Sequence, residues 1–329
     1  MKKLIFSILL LASTLLQASD IYVKPGESIA DAIRQARELR RLNDPSIEGG
    51  ITIHVAAGNY RIYEPLFLRP EDSGTPSSPT IIKGEGEVIV SGGVTVTGWK
   101  RQGKLMVADV PDFCGRPLDF RQFYVNGKKA VRARDVADFE DMYRIIRVDK
   151  QKRVLWVPAA AVRKIQKAPY AEMVLHEMWC VANLRIKDIM FAGDSAAVSF
   201  HDPESRIQFE HPWPCPMVTT DGHNSAFYLT NARELLDVPG EWYHDIRAGK
   251  LYYYPRQGEL IEEAVVPAVE SLLRVEGTLD RPVRNIRIEG LTFSYSTWMR
   301  PSLKGHVPLQ AGMYLTDAYK LRPQIVRSK

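Results

Sequence analysis

The chain has 329 residues, with 44 basic against 39 acidic side chains, 21 prolines, 22 glycines and three cysteines. The two charge signs are interspersed, so the basic stripe that a nucleic-acid surface requires is missing. Cys114, Cys180 and Cys215 share no Cys-x-x-Cys or Cys/His spacing suited to zinc, and an odd, widely separated set defines no disulfide framework.

Residues 1–18 read as a secretory signal. Lys2 and Lys3 give the positive start, Leu4 to Leu16 the apolar run, and Ala18 the small residue before a cut at Ser19. A spanning helix needs about 20 apolar residues, and the run stops at Gln17. Cleavage removes two lysines and no acid, leaving 42 basic against 39 acidic residues. The expected destination is the Sec export route, with no membrane span once the signal is removed.

Ile21 to Val23 predicts a short strand. Ser28 then opens a helix, with apolar residues at Ile29, Ala32, Ile33, Ala36 and Leu39 on one face and Arg40 and Arg41 at its negative end. Arg37, Arg40 and Arg41 read as a solvated face. Asn43-Asp44-Pro45 ends the helix.

Strand and turn follow. Ile51-Thr52-Ile53-His54-Val55 alternates at period two. An element made of an apolar residue, any residue and glycine recurs at Ile82 to Gly84, Val90 to Gly92, Val275 to Gly277 and Ile288 to Gly290. Short strands joined at glycine corners describe a chain wound into stacked rungs, with aliphatic side chains inward. A β-sandwich would use more Asn-Gly or Asp-Gly hairpins; Asn126-Gly127 and Asp221-Gly222 are the exceptions here. The expected organisation is a cap helix and first rungs over 19–99, an inserted β-rich module over 100–265, and resumed rungs over 266–329. Within the module, Phe123 to Lys128 predicts a hairpin and Leu251 to Tyr254 a strand.

Several segments together resemble a known family. Ile21 to Val23, the helix, Ile53 to Tyr60, Pro79 to Ile82 and Val90 to Gly93 are similar to the start of pectin-lyase-like proteins. Phe123 to Arg134, Glu241 to Tyr243, Leu251 to Pro255 and Asn285 to Phe293 resemble glycoside hydrolase family 141. The resemblance implies an all-β, right-handed parallel β-helix, and an exported bacterial protein of the periplasm or extracellular space. It also implies a lineage linked to α-L-fucosidase and xylanase activities on complex polysaccharide. Members of that family continue for more rungs and carry their proposed catalytic carboxylates there. The chain, ending at Lys329, is therefore expected to be C-terminally truncated, inactive or partial, and prone to self-association through its uncapped end. The alternatives are a non-catalytic glycan-binding surface protein and a non-functional remnant.

Glycoside hydrolysis needs two carboxyl groups across one bond, and no catalytic pair can be assigned from the sequence. Acids beside rings that could stack on sugars are Glu177 near Trp179, Glu210 near Trp213, and Glu241 beside Trp242. Glu177, Trp179 and Trp213 are the candidate substrate-binding residues, the first two sharing one face if their segment is extended. Glu241-Trp242 reads as a packed pair, ring inward and acid outward. His176, His201, His211, His223 and His244 fit no metal spacing, and neither metal nor cofactor is expected. Polysaccharide or oligosaccharide is the expected partner.

Overall fold

The computed structural model describes residues 18–211, 215–309 and 313–318. The chain is mostly β and divides into two units. The first takes residues 18–92 and 271–296, and the second takes 93–270 and the described residues from 297 onward. The junctions between the units fall at 92/93 and 270/271. Residues after 296 belong with the second unit instead of extending the first.

In the first unit, strand β1 (Ser19–Val23), helix α1 (Ile29–Arg41), and strands β2 (Ile51–Arg61), β3 (Leu66–Leu68) and β4 (Thr80–Ser91) precede the returning strands Leu273–Val275 and Ile286–Ser294. Four of these run parallel in the order β1, β2, β4, Ile286–Ser294. Their register aligns Ile21, Ile53, Ile82 and Ile288 as one aliphatic ladder. A second parallel pair joins β3 to Leu273–Val275. The first three members of the ladder are buried, whereas Ile288 and Phe293 on the outermost strand remain 37% exposed.

The outermost strand changes phase at Gly290, where glycine is expected to turn the chain, and β2 does so at Gly58, which the recurring element does not include. Register slips between Ala56 and Gly58 in β2 and between Glu289 and Leu291 in the outermost strand. Gly290 has φ +66, and a Cβ on Gly84 would lie 2.1 Å from the Gly290 carbonyl oxygen. No side chain fits at that crossing.

Helix α1 forms as the pattern predicts. Ser28 Oγ accepts from the Asp31 N–H at 3.2 Å, and Ile29, Ala32, Ile33 and Ala36 are buried. Each fully buried Ile contributes roughly 1.5–3 kcal/mol. The basic face is not simply solvated, however. Arg37 donates through Nε and Nη2 to both oxygens of buried Asp72, at 2.8 and 2.9 Å. Arg40 donates to Thr80 Oγ1 and the Ser78 carbonyl, each at 2.9 Å. Only Arg41 stays outward, paired with Glu38. Two arginines therefore tie the helix to the strand stack, which periodicity cannot reveal.

The second unit is β-rich, and most of its strands are antiparallel. A seven-stranded antiparallel sheet runs in the order Tyr143–Arg144, Ala226–Thr230, Glu172–His176, Val181–Ala192, Ser195–Phe200, Val154–Pro158 and Arg147–Asp149. A five-stranded sheet contains Val131–Arg132, Glu241–Asp245, Lys250–Tyr253, Leu105–Asp109 and Lys100–Gln102. In it only Val131–Arg132 pairs in parallel, with Glu241 and Trp242. The hairpin at Asn126-Gly127 forms, with Tyr124 opposite Lys129 and both turn residues at positive φ. Phe120, Phe123, Trp242 and Tyr253 form a buried aromatic cluster; Phe120 to Trp242 and Phe123 to Tyr253 each measure 5.4 Å between ring centroids. Among the described residues, no helix is long and apolar enough to cross a membrane.

Arg37→Ala should weaken the first unit by about 2 kcal/mol, the range for hydrogen bonds to a charged group. Arg34→Ala removes only an exposed pair with Asp31, both side chains about 60% accessible, and should stay within about 0.5 kcal/mol. Hydrogen exchange of the β2 amides in urea measures both. Equal effects would refute the anchoring role of Arg37.

Candidate functional site

Ala171 to Leu175 is an apolar run interrupted by one acid, Glu172, and all five residues are buried. A carboxylate there must be compensated or stay protonated. Two arginines from the segment preceding the module's large sheet compensate it. Arg121 donates through Nη1 and Nη2 to the two Glu172 oxygens, both at 2.8 Å, and Arg132 Nη1 adds a third bond at 3.0 Å. Arg121 Nη1 also donates to Ser302 Oγ at 2.9 Å. The Arg132 guanidinium lies over the buried Trp242 ring, 5.9 Å from its centroid. Burial acts to raise the Glu172 pKa, but the charges of Arg132 and Arg121 outweigh it and hold the carboxyl below its ordinary value. Burial, reinforced by the like charge of Arg121, pulls Arg132 below its ordinary value.

Two cavities share this cluster. One, of about 340 Å³, is lined by Glu172 and Ser302 together with Asp119, Tyr170, Arg185, His201 and Asn231. The other, of about 300 Å³, is lined by Arg121, Lys129, Arg132, Arg134, Tyr228 and Thr230, with Ala130 and Val131. Strand geometry explains the basic wall. Arg132 and Arg134 flank fully buried Ala133, so alternation along an extended chain puts both on one face of the strand, away from the Ala133 side chain. Tyr228 is half-buried. Burial raises its pKa, partly offset by the surrounding arginines.

The first cavity has a charged wall of its own. Arg185 donates through Nε and Nη2 to the two oxygens of fully buried Glu204, at 2.7 and 2.8 Å. Asp119 also lies 3.6 Å from His244 Nδ1, and His244 stacks on Phe120 at 4.7 Å.

Of the residues singled out from sequence, His201 lines the first cavity, whereas Glu177, Trp179, Glu210 and Glu241 line neither. Glu177 and Trp179 lie in the turn between Glu172–His176 and Val181–Ala192, where Glu177 N–H donates to the Cys180 carbonyl at 2.9 Å. The extended segment needed to put both on one face is absent; Glu177 is buried, while Trp179 is 40% exposed. The Glu177 carboxyl accepts from Gln208 Nε2 and from Cys180 Sγ. Burial pushes Glu177 up to about 7 and, together with the Glu177 charge, pushes the Cys180 thiol up to about 12. Trp213 lies outside the described residues. Glu210 pairs with Arg153 and Arg206.

Trp242 packs in the core as expected, but Glu241 does not face outward. It is buried and accepts backbone N–H groups of Val238, Asp237 and Arg134 at 3.1, 3.2 and 3.3 Å, which ties a turn to the strand. Among the described residues, no three His, Cys, Asp or Glu side chains converge as metal ligands. The described cysteines are free thiols.

The residues that line the basic cavity were missed from sequence. Two signals were nevertheless present: a lone acid inside the apolar run 171–175, and basic residues clustered through 128–134. An unaccompanied acid in a buried strand implies a cationic partner, but its partners lie 40 and 51 residues away.

Residues 103–256 match the family model described as the GH141 insertion domain. That span holds every residue named on the wall of the basic cavity. A solved structure titled "Glycoside hydrolase" is 61% identical and superposes with a TM-score of 0.90, over 94% of this chain and 56% of its own. The chain therefore spans about half the length of that protein. No curated protein matches. The chain is glycoside-hydrolase-like.

Glu177 makes stability depend on pH. Below its unfolded value of 4.5 the acid is protonated in both states and imposes no penalty. As pH rises, the unfolded chain releases the proton while the folded chain retains it until about 7. Stability therefore falls between these values, by about 3 kcal/mol in total for a shift of this size. Glu177→Gln should remove that fall. The difference in urea-unfolding free energy between the two proteins should grow from pH 4 to 8 in favour of the variant; a constant difference would contradict the burial argument.

Proposed function

We propose that this is an exported, carbohydrate-active protein of glycoside-hydrolase type that engages complex polysaccharide, its second unit carrying glycan recognition. The observation that carries this reading is the 61% identity, sustained over 94% of the chain, to a structure titled glycoside hydrolase. We further propose that the first unit forms the opening turns of a right-handed parallel β-helix. Its support is the in-register parallel ladder and the glycine crossing at Gly84 and Gly290.

Three buried acids of the second unit, Glu172, Glu204 and Glu177, suit binding better than cleavage. A general acid must hold its proton near neutral pH, whereas Glu172 is held ionised by two guanidiniums. Glu204 is engaged by Arg185. Glu177 has a suitable pKa, but its carboxyl is buried and occupied by Gln208 and Cys180. We therefore infer that these cavities hold glycan without hydrolysing it.

Affinity gels containing xylan, pectin or a fucosylated glycan should retard the purified chain, while a reducing-sugar assay on the same polymers should show no release. Turnover at ordinary glycosidase rates would overturn binding without cleavage. Failure to be retarded by any of the polymers would overturn the carbohydrate reading.

Export receives support from the position of β1, which begins at Ser19, so the expected cut after Ala18 leaves the strand intact. N-terminal sequencing of the protein secreted from a bacterial host should return Ser19-Asp20-Ile21. Retention of Met1 in the exported fraction would refute cleavage.

A further inference from the structure

We propose that the cavity lined by Arg121, Lys129, Arg132, Arg134, Tyr228 and Thr230 is a subsite for the carboxylate of a uronic-acid residue in the polysaccharide. This deepens the carbohydrate reading and rests on it.

The charge balance is the first reason. Four cationic side chains line the cavity and no acid does. The single carboxylate in contact with them, Glu172, is shared by Arg121 and Arg132. Even with the longer-range attraction of Asp119 for Arg132, the four positive charges exceed the negative charge beside them. The Arg134 guanidinium and the Lys129 ammonium make no hydrogen bond or ion pair among the described residues; their recorded bonds are to the Arg134 backbone N–H and the Lys129 carbonyl. Like charges gathered in a concave wall repel one another, and an anion bound there relieves that repulsion.

The second reason is an unmet donor. The buried Nε of Arg132 has no hydrogen-bond partner. Such an orphan is uncommon in a folded protein, and it leaves this guanidinium short of negative charge, which an oxyanion in the adjoining cavity supplies. A guanidinium presents a planar fork that matches a carboxylate.

The third reason is preorganisation. Arg121 is fixed by Glu172 and Ser302, and Arg132 by Glu172 and the Trp242 ring. Little side-chain freedom remains to be lost on binding. Glu172 is thus a positioning residue that aims two guanidiniums while cancelling one of their charges. Tyr228 adds a ring face for a sugar, and about 300 Å³ is at the small end of the range for ligand sites.

The test uses the full chain and titration calorimetry with three probes: an oligogalacturonate, the same oligomer with its carboxyls reduced to alcohols, and a sulfated galactan oligomer. The variant Lys129→Gln/Arg134→Gln leaves the Glu172 cluster untouched, and an unchanged melting temperature verifies its fold. Oligogalacturonate should bind the parent at least tenfold more tightly than the reduced oligomer, and the variant should lose that preference. Raising ionic strength should erode the same preference. Equal binding of charged and reduced oligomers overturns the subsite but leaves the glycan-binding reading standing. Tightest binding of the sulfated oligomer assigns the cavity to a sulfate ester and overturns the uronate. Binding of none of the three, together with no retardation in the affinity gels, overturns both readings.

Discussion

Glu172 sets the terms for the second unit. A carboxylate taken out of water at the start of an interior strand of the seven-stranded sheet is tolerable only with cations beside it, and Arg121 and Arg132 meet both of its oxygens. Two guanidiniums for one carboxylate leave a positive surplus. That surplus emerges in the cavity lined by Arg132 and Arg134, which share one strand face, and by Lys129, returned by the Asn126-Gly127 hairpin. The buried pair and the cationic wall are one feature, since the acid that demands arginine inside also fixes where guanidinium faces outward. Trp242 extends the arrangement into the aromatic cluster, so its position is coupled to core packing.

The first unit follows a different constraint, which is the repeat of the parallel backbone. Each strand must place its aliphatic side chains over those of the last, as Ile21, Ile53 and Ile82 do. Each must also bend at the same height, which is possible only where Gly84 meets Gly290 without side chains between them. Arg37 and Asp72 secure the helix that covers β1 and β2. The outermost strand repeats the pattern, yet its Ile288 and Phe293 are much more exposed than Ile82 and Val90 to which they register.

What the sequence disclosed and what it hid separate along physical lines. Local periodicity identified α1, the alternating strand from Ile51, the glycine corners and the Asn-Gly hairpin, because each depends on residues within a few positions of one another. Strands of the first unit pair in parallel, whereas alternating strands of similar length in the second pair mostly antiparallel. Alternation alone does not encode strand direction. Charged contacts were least legible. Arg37 shares a helix face with exposed arginines and differs only in that Asp72, 35 residues on, lies beneath it. Glu241 was expected outward beside an inward Trp242, but the backbone donors of 237–238 draw it in. Glu177 and Trp179 were paired by strand parity, and a tight turn between them cancels that premise.

Charge also separates recognition from chemistry in this unit. Guanidiniums beside a carboxyl depress its pKa, so the groups that make the basic cavity attractive to an anion also prevent Glu172 from supplying a proton to a glycosidic oxygen. The requirement for a general acid is the reverse: an acid removed from cations, desolvated yet open to the substrate. Glu177 meets the first two conditions and fails the third, because its oxygens are taken by Gln208 and Cys180. A wall that holds acidic sugar by surplus positive charge is therefore poorly placed to cleave it. Within this unit the two tasks need different surroundings, and the basic cavity wall lacks the cation-free acid that cleavage requires.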